Sequence, residues 1–525
     1  MMDSIAGTGL DQRYNFKVVR QGRKSGILCH VTSLASPFGV GTLGDTALDF
    51  IDFLALSGQS CWQILPLGVT GYGDSPYQCV SDRAGNPYLI DPGLLIRENL
   101  LSPEAPRKFK FGADPASVDF GLLWKNRRKL LRLAWEEFKQ GGHETLEHEF
   151  KVFCVKEDVS WLHDFALFMT LKAAHGGASW RTWPKPYRGR DPVALLEFEQ
   201  GRQDDLQFEK FLQFLFFRQW QQVRIYAANA GICIIGDLPI YAAEDSVEVW
   251  LEPGLFQLDE NFTPTFVAGC PPDYFSDDGQ LWGNPLYEWK AHAAEGYHWW
   301  TERMRFQLRL YDMIRIDHFR GLESYWAVPY GDKTARRGYW VPGPADALFE
   351  AMEKELGPLP IIAEDLGYMT EEVYAFRERT GFPGMKVLQF AFNPEVTSDY
   401  LPHNLTENAI LYTGTHDNDT IAGWFEAADP EETAFAKRYL GLSEEEGLIF
   451  GMMRGAATSV CNTVIFQMQD LLGLGDESRM NRPGKAEGNW RWRMLPDALT
   501  LELATRMREL TRMSGRLPGR TQGDS

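Results

Sequence analysis

Residues 313–321 read MIRIDHFRG, a segment that begins like a buried strand and ends in ionisable side chains. Side chains alternate between the two faces of a β-strand, so Met313, Arg315 and Asp317 share one face of this segment. A guanidinium and a carboxylate therefore point into the same interior, one layer apart. Such a pair suits a structural ion pair at the top of a barrel as well as a catalytic site.

Seven further apolar or β-branched runs have the same character, and most of them also end in polar or glycine residues. Together the eight runs cover residues 26–33, 61–68, 232–239, 312–319, 361–367, 385–392, 409–419 and 462–470. Helical patterns such as those at 346–356 and 370–380 separate most of the runs. Eight buried strands that alternate with helices predict the α/β class and, within it, a parallel (β/α)₈ barrel, the TIM barrel.

The uneven spacing of these runs predicts large insertions within one barrel domain. The second and third runs lie much farther apart than one crossover helix requires, so residues 69–230 are expected to contain a large, mainly helical insertion. A second insertion is expected at 239–311. No low-complexity linker or short-period repeat divides the chain, and residues 20–510 are therefore predicted to form a single catalytic domain.

Composition and charge restrict the classes of partner. The chain has 525 residues, 44% of them apolar, which is enough for a large core. Lys and Arg total 53 against 72 Asp and Glu, and the net charge of −19 argues against a nucleic-acid or acidic-membrane partner. A neutral or cationic small substrate fits this charge better.

Cysteine usage and hydropathy bear on the compartment. The seven cysteines are scattered, odd in number and without a CxxC pair, so they predict neither a disulfide framework nor a zinc site. The N-terminal residues lack the apolar core of a signal peptide, and no stretch reaches the length of a membrane span. We therefore expect a soluble protein in the reducing cytoplasm.

Acidic side chains follow four of the eight predicted strands. The carboxyl ends of the strands of such a barrel meet in one mouth, where the βα loops carry the chemistry. Burying that much like charge for packing alone would be costly, so the pattern favours a functional site. The residues concerned, with the histidine beside them, are Asp237, Asp317, Glu364, Asp365, His416, Asp417 and Asp419.

Several carboxylates beside one arginine suit the chemistry of glycosidic bonds. A retaining enzyme uses an ionised carboxylate as nucleophile and a protonated carboxyl group as acid and then base. Arg315 would hold Asp317 ionised, which suits the nucleophile. Glu364 has no basic residue in its own strand and neighbours other carboxylates, which suits the acid. His416 and Asp417 could bind hydroxyls of the reacting sugar ring.

Two other kinds of site can be compared with this interpretation. The segment THDND (415–419) also allows a metal site, because alternating Asp and His suit a hard cation, but it lacks the glycine-centred spacing of a calcium loop. A nicotinamide enzyme is disfavoured because no GxGxxG follows the first strand. The expected chemistry uses only carboxylates and sugar hydroxyls, so we expect no metal and no other cofactor.

Four segments resemble the signature regions of the α-amylase superfamily in order and position, namely GDLPI (236–240), RIDHFRG (315–321), IAEDLG (362–367) and THDND (415–419). A wider set, which runs from about residue 20 to about residue 510, is similar to amylomaltase, the bacterial 4-α-glucanotransferase known in plants as disproportionating enzyme. It comprises GYGDSPYQ (71–78), GNPYLID (85–91), PPDYFSDDGQLWGNPLY (271–287), GMKVLQFAF (384–392) and NRPGKAEGNWRWR (481–493). That family lacks the C-terminal β-sandwich of ordinary α-amylases, and this chain too is predicted to end in helix soon after its eighth strand.

The resemblance implies a role for each candidate residue. Asp317 matches the family's nucleophile, Glu364 its general acid and base, and Asp417 a third carboxylate that stabilises the transition state through the sugar hydroxyls. Segment 271–285, within the second insertion, resembles the family's flexible loop over the cleft. The implied substrate-binding residues are Tyr77 as a platform beneath the reacting glucose, Asp237, Arg315 and His416 around that glucose, and Trp282 in the donor or acceptor groove.

The implied reaction transfers α-1,4-glucan segments from a donor to the 4-hydroxyl of an acceptor by a retaining double displacement through a glucosyl-enzyme. The expected partners are maltooligosaccharides and other α-1,4-glucans, with glucose as an acceptor, and the expected state is a monomer or small homo-oligomer. Two alternatives remain open. One is a retaining α-glucan hydrolase with the same carboxylates. The other is a non-catalytic glucan-binding protein, which would keep the aromatic residues but would not need carboxylates on three strands.

Overall fold

A computed structural model describes residues 22–71, 73–272, 276–485 and 487–519 of the chain. The N-terminal segment on which the expectation of no signal peptide rests lies outside the described residues. Tyr72 of segment 71–78 and residues 273–275 of the predicted cleft loop also lie outside them. All eight candidate site residues lie within the described ranges.

The described ranges contain two β-sheets. Eight strands close into a parallel barrel in the order β1-β2-β3-β6-β9-β10-β11-β12, and the other four form an antiparallel sheet in the order β5-β4-β7-β8. The twelve strands are β1 (Lys24–Leu28), β2 (Cys61–Gln63), β3 (Cys233–Leu238), β4 (Phe266–Cys270), β5 (Gln280–Pro285), β6 (Met313–Ile316), β7 (Ser324–Pro329), β8 (Tyr339–Pro342), β9 (Ile361–Ala363), β10 (Gly384–Val387), β11 (Ala409–Tyr412) and β12 (Thr463–Gln467).

Each of the eight predicted runs contains or overlaps one barrel strand, so the predicted (β/α)₈ barrel is confirmed. The strands are shorter than the runs because the polar ends leave the hydrogen-bonded ladder and enter the loops of the barrel mouth. The run at 409–419, for example, pairs only through β11, and its polar end forms a loop. Every residue of β11 and of β12 is buried, as parallel strands covered on both faces require.

Helices surround the barrel, and capping residues in the sequence explain where some of them begin and end. The helix Glu371–Thr380 begins after Thr370, whose hydroxyl accepts from the backbone N–H of Val373, and it ends at Gly381, whose φ of 71° is left-handed. The helices of the described ranges are α1 (Asp45–Leu56), α2 (Pro92–Arg97), α3 (Phe120–Lys139), α4 (Glu144–Glu157), α5 (Leu162–Ala174), α6 (Lys185–Arg188), α7 (Pro192–Gln200), α8 (Gln203–Asn229), α9 (Val247–Leu251), α10 (Trp289–Ala294), α11 (His298–Leu310), α12 (Asp346–Leu356), α13 (Glu371–Thr380), α14 (Ile421–Ala427), α15 (Pro430–Leu440), α16 (Leu448–Ala457), α17 (Met468–Leu471) and α18 (Leu501–Met513).

Helices α2 to α8 lie between β2 and β3, and α8 anchors the long loop that follows β2. The buried Gln213 accepts from the N–H of Gly85 at 2.8 Å and donates to the carbonyl of the same residue at 3.0 Å. One turn and a half later, Gln219 accepts from the N–H of Asp91 at 2.7 Å. Buried backbone groups need such partners, and these bonds hold the loop that carries Tyr77 against the barrel. The domain boundaries drawn from the sequence remain a prediction.

The antiparallel sheet was not predicted from the sequence. Its strands are short and rich in aromatic residues, and β4 pairs with β7 about 60 residues further along the chain. No single segment of this sheet therefore shows a clear two-residue alternation. Strand β7 follows the loop after β6, which places this sheet above the barrel mouth, and β5 carries Trp282. A membrane crossing would need a longer and more apolar helix than any in the described ranges.

Candidate active site

Arg315 lies at the centre of the barrel mouth and contacts two carboxylates. Parallel pairing sets Asp237 of β3 beside Arg315 of β6, so both side chains point into the barrel. The Nη1 atom of Arg315 donates to both carboxylate oxygens of Asp237, at 2.8 and 2.7 Å, and its Nη2 lies 3.1 Å from Oδ1 of Asp317. The shared face predicted for Arg315 and Asp317 is thus present.

Tyr77 and His416 form one wall of the same pocket. The hydroxyl of Tyr77 donates to Oδ2 of Asp237 at 2.9 Å, which ties the loop after β2 to β3. The rings of Tyr77 and His416 stack with centroids 5.1 Å apart and planes 17° apart. Trp490 lies 5.9 Å from each of these two rings. A flat aromatic wall beside a charged cluster is the kind of surface on which a sugar ring can pack.

Glu364 follows β9 and is held by backbone donors. Its Oε2 accepts from the N–H of His318 at 2.6 Å, and its Oε1 accepts from the N–H of Leu366 at 3.1 Å. His318 adopts a left-handed backbone conformation with φ of 49°, which is strained for a residue with a side chain. This turn, at the end of β6, aims the N–H of His318 at Glu364 and leaves Asp317 beside Arg315.

Asp417 follows β11 and is oriented by residues to which the sequence analysis assigned no role. Asn481 donates from its side-chain amide to Oδ1 of Asp417 at 2.6 Å, and its N–H donates to the carbonyl of His416 at 3.0 Å. Arg479 donates to the carbonyl of Asp417 at 2.6 Å. His416 Nε2 lies 3.4 Å from Oδ2 of Asp417. Asn481 is the first residue of segment 481–493, whose similarity to a family motif is the sequence signal that points to it.

Trp282 borders the site from the antiparallel sheet. Its ring meets the ring of His318 edge to face, with centroids 4.7 Å apart. Gln78, the neighbour of Tyr77, donates to the side chain of Asn284 at 2.9 Å, which joins the loop after β2 to β5. The structure therefore brings all eight candidate residues into one connected cluster, and Trp282 forms its outer edge.

Two carboxylates counted at the rim are used for structure. Asp365 follows Glu364, but its side chain points in the opposite direction. It pairs with Arg377 and accepts from the N–H of Met385 at 2.6 Å. Asp419 accepts from its neighbour's N–H and lies 3.8 Å from Arg479. Within the part of the chain that the structure describes, no group of three or more His, Cys, Asp or Glu side chains is placed to hold a metal ion.

Burial and mutual repulsion set the protonation of the two carboxyl groups at the centre. Burial raises the pKa of Asp317 to about 6, although the Arg315 guanidinium opposes this shift. Burial raises the pKa of Glu364 further, to about 8, and the nearby Asp317 adds to the effect. Near pH 7 the pair therefore holds one ionised and one protonated carboxyl group, as retaining glycoside chemistry requires. The positive charge of Arg315 lowers the pKa of Asp317 and burial raises it, so Asp317 is ionised at this pH because Arg315 partly offsets burial.

Two further ionisable groups of the pocket, His416 and Tyr77, remain neutral near pH 7. Burial lowers the pKa of His416, so its imidazole is uncharged near pH 7 and can donate or accept a hydrogen bond to a sugar hydroxyl. Burial and the Asp237 carboxylate raise the pKa of the Tyr77 hydroxyl, which keeps its proton and donates it to Asp237.

The raised pKa values predict a bell-shaped dependence of kcat/KM on pH. As the pH falls through about 6, Asp317 takes up a proton and loses the negative charge that a nucleophile needs. As the pH rises through about 8, Glu364 loses the proton that a general acid would donate. We expect a maximum between these values in initial rates with maltotriose. An acid limb near pH 4, the ordinary range for Asp, would contradict the raised pKa of Asp317.

Comparisons with known proteins give a consistent result. Residues 29–500 match the family described as 4-alpha-glucanotransferase. The 4-alpha-glucanotransferase of Clostridium butyricum is 46% identical over 489 residues, 93% of this chain and 99% of that protein. The one from Thermus thermophilus is 46% identical over 502 residues, 94% of this chain and 99% of that protein. The structure of amylomaltase from Streptococcus agalactiae in complex with acarbose, 42% identical, superposes with a TM-score of 0.92 over 94% of this chain and 100% of that one.

Proposed function

Since the chain belongs to the 4-alpha-glucanotransferase family, we propose that Asp317 is the nucleophile of its reaction, Glu364 the general acid and base, and Asp417 the carboxylate that stabilises the transition state through the hydroxyls of the reacting sugar. The enzyme acts on α-1,4-glucans and transfers glucan segments between them. One observation carries the proposed roles, namely that Asp317 beside Arg315, Glu364 on two backbone donors and Asp417 on Asn481 meet in one barrel mouth. The pKa values of Asp317 and Glu364, which burial raises to about 6 and about 8, support the same roles.

The first half of the reaction breaks a glycosidic bond. The Asp317 carboxylate attacks the anomeric carbon, and Glu364 donates its proton to the glycosidic oxygen, so the leaving chain departs with a new 4-hydroxyl group. The product of this step is a glucosyl ester of Asp317. Arg315, which contacts Asp317 at 3.1 Å and has its second nitrogen on Asp237, holds the nucleophile in place as its charge is used.

The second half of the reaction makes a glycosidic bond. Glu364, now a carboxylate, takes the proton from the 4-hydroxyl of an acceptor sugar, and that oxygen attacks the anomeric carbon and releases Asp317. Two inversions at the same carbon retain the α configuration. Glu364 recovers its proton in this step, so acid and carboxylate return to their starting states without any other group.

The remaining candidate residues would bind the reacting glucose. Tyr77, stacked on His416, offers the platform against which the ring packs, while Asp417 and the neutral His416 accept and donate hydrogen bonds to its hydroxyls. Asp237 acts mainly through Arg315 and Tyr77, since its oxygens already accept from both side chains. Trp282, beside His318, would line the groove for neighbouring glucose residues.

Transfer to sugar requires the glucosyl-enzyme to discriminate against water. Water is present at tens of molar and an acceptor at about millimolar, so a bias of roughly 10⁴-fold has to be overcome, which corresponds to over 5 kcal/mol at about 1.4 kcal/mol per tenfold. A bound and oriented acceptor can supply that through proximity, and a covering segment adds to it by excluding water. We propose that the acceptor sugar binds, and that water is excluded, near Trp282 and segment 271–285.

Maltotriose as sole substrate is expected to give a ladder of longer maltooligosaccharides together with glucose and maltose. Each transfer breaks one α-1,4 bond and forms another, so the number of reducing ends should stay nearly constant. Chromatography of the products and a reducing-end assay on the same samples measure both quantities. Reducing ends that rise in step with product formation would identify a retaining hydrolase, the alternative that uses the same carboxylates.

The substrates, the oligomeric state and the compartment of the enzyme can be proposed as well. We propose maltooligosaccharides and other α-1,4-glucans as donors, glucose as the smallest acceptor, and a monomer or small homo-oligomer in the cytoplasm without a membrane or nucleic-acid partner. The net charge of −19 supports the last point, and the scattered cysteines, odd in number and without a CxxC pair, support a reducing compartment. A single catalytic domain over 20–510, with insertions at 69–230 and 239–311, belongs to the same proposal.

A further inference from the structure

Asp470 is a buried carboxylate behind the active site to which the mechanism above assigns no role. It lies in α17, directly after β12, and only 2% of its surface is exposed. Its Oδ2 accepts from the hydroxyl of Thr413 at 2.7 Å, and its Oδ1 accepts from the N–H of Ile421, also at 2.7 Å. Both oxygens are therefore used, and both partners are themselves fully buried.

The two partners of Asp470 are the two ends of one loop. Thr413 follows the last residue of β11, Ile421 is the first residue of α14, and residues 414–420 between them carry His416 and Asp417. A single carboxylate thus closes the base of the loop that holds the proposed sugar-binding pair. Burying a carboxylate costs free energy unless it is well hydrogen-bonded, and burial raises the pKa of Asp470 to about 7. A buried carboxylate at this position therefore suggests that it has a function that offsets this cost.

The rest of the loop is held from the same side of the barrel. Gln389 and Gln467 both donate to the carbonyl of Asp419, at 2.8 and 2.9 Å. Any side chain at Gly414 would collide with these two amides, since a Cβ there would lie 2.3 Å from Gln467 Nε2. The loop therefore has a rigid base made by Asp470 and the two glutamines and a tip oriented by Asn481 and Arg479.

We propose that Asp470 is a positioning residue that acts through this loop to set the place of Asp417, an inference that rests on the proposed role of Asp417. The side chain of Asp417 is 39% exposed and stands on the tip, so its position depends on where the two ends of the loop are fixed. A displacement of about 1 Å at a catalytic group can lower the rate about 10²-fold. Loss of the Asp470 carboxylate should therefore impair catalysis much more than substrate binding.

The test is the variant Asp470→Ala. Its active sites are counted by trapping the glucosyl-enzyme, and kcat is calculated per active site, so that any unfolded protein does not lower the value. We expect kcat with maltotriose to fall about 30- to 100-fold while KM changes less than about threefold, because an interaction made mainly in the transition state is weakened. Asp470→Asn should recover most of the rate, since its amide oxygen can accept from Ile421 and its NH₂ can donate to Thr413.

The chain contains a control in Glu157, a buried carboxylate at the end of α4. It is 3% exposed, accepts from the indole N–H of Trp161 at 2.8 Å and from the guanidinium of Arg309 at 2.6 Å, and is not part of the site. Glu157→Ala also removes a buried carboxylate that accepts hydrogen bonds on both oxygens, and it should leave kcat per active site within about threefold of the original. A kcat for Asp470→Ala as high as that of Glu157→Ala overturns the positioning role.

Asp417→Asn separates the two ways in which the inference can fail. An inactive Asp417→Asn with a normal Asp470→Ala refutes only the positioning role and leaves the proposed function intact. A normal Asp417→Asn refutes the proposed role of Asp417 and, with it, the positioning role of Asp470. The inference stands when Asp417→Asn and Asp470→Ala both lose kcat and Asp470→Asn does not.

Discussion

Asp317→Asn is expected to abolish glucan transfer, with a loss of at least about 10⁴-fold in kcat/KM for maltotriose. An amide carries no charge with which to attack the anomeric carbon, so no glucosyl-enzyme can form. The fold should survive, because Arg315 keeps both bonds to Asp237, at 2.8 and 2.7 Å, when it loses its contact with residue 317. The effect is therefore expected on the chemical step and not on thermal stability.

Mass spectrometry can observe the missing intermediate directly. After incubation with 5-fluoro-α-glucosyl fluoride, the original protein should carry one glucosyl label in the peptide that contains Asp317, and Asp317→Asn should carry none. Asp45→Asn makes the same chemical change at an exposed carboxylate that pairs with Arg97, and it should label and turn over normally. Near-normal turnover by Asp317→Asn would show that the nucleophile is a different residue.

Glu364→Gln is expected to lose activity by about 10³-fold or more on maltotriose but to keep the first half of the reaction with an activated donor. A glutamine cannot donate a proton to the glycosidic oxygen, whereas fluoride departs from α-glucosyl fluoride without one. The backbone donors of His318 and Leu366 can still bind the side-chain oxygen of a glutamine, so its position should be retained.

Two measurements distinguish this acid and base role from a structural one. With α-glucosyl fluoride, Glu364→Gln should form the glucosyl-enzyme rapidly and then stall, because no base activates the acceptor. Azide, which needs no deprotonation, should restore turnover. The alkaline limb of the pH profile, which the pKa of about 8 predicts, should disappear in this variant. Equal losses on maltotriose and on the fluoride would contradict the role.

The barrel could be predicted because parallel strands covered on both faces appear as continuous apolar runs. Such runs depend only on neighbouring residues, and all eight led to a strand. The antiparallel sheet of β4, β5, β7 and β8 could not be predicted in the same way, since its strands are short and its central pairing, β4 with β7, joins segments about 60 residues apart. For example, β4 pairs with β7 from Phe266 opposite Pro329 to Gly269 opposite Trp326. Nothing within either short strand specifies that register.

Some features of the candidate site could likewise be predicted from local sequence, and others could not. Strand alternation placed Arg315 and Asp317 on one face, and the acidic ends of separate strands predicted a common mouth. The same rule counted Asp365 and Asp419 at the rim, where the structure instead uses them to hold the backbone and a neighbouring arginine. Adjacent residues at a strand end leave in opposite directions, and the sequence does not say which of them enters the mouth.

By itself the sequence determined the barrel and the resemblance to the family, and it predicted the carboxylates and the arginine of the candidate site, because each of these depends on local pattern or on short motifs. Only the tertiary structure decided the environment of those groups. It showed burial opposing Arg315 at Asp317 and raising the pKa of Glu364 to about 8. It also placed Asn481 on Asp417, and Asp470 across both ends of the loop that carries it. Desolvation and long-range hydrogen bonds arise only when segments distant in the chain pack together, and for that reason no local pattern contains them.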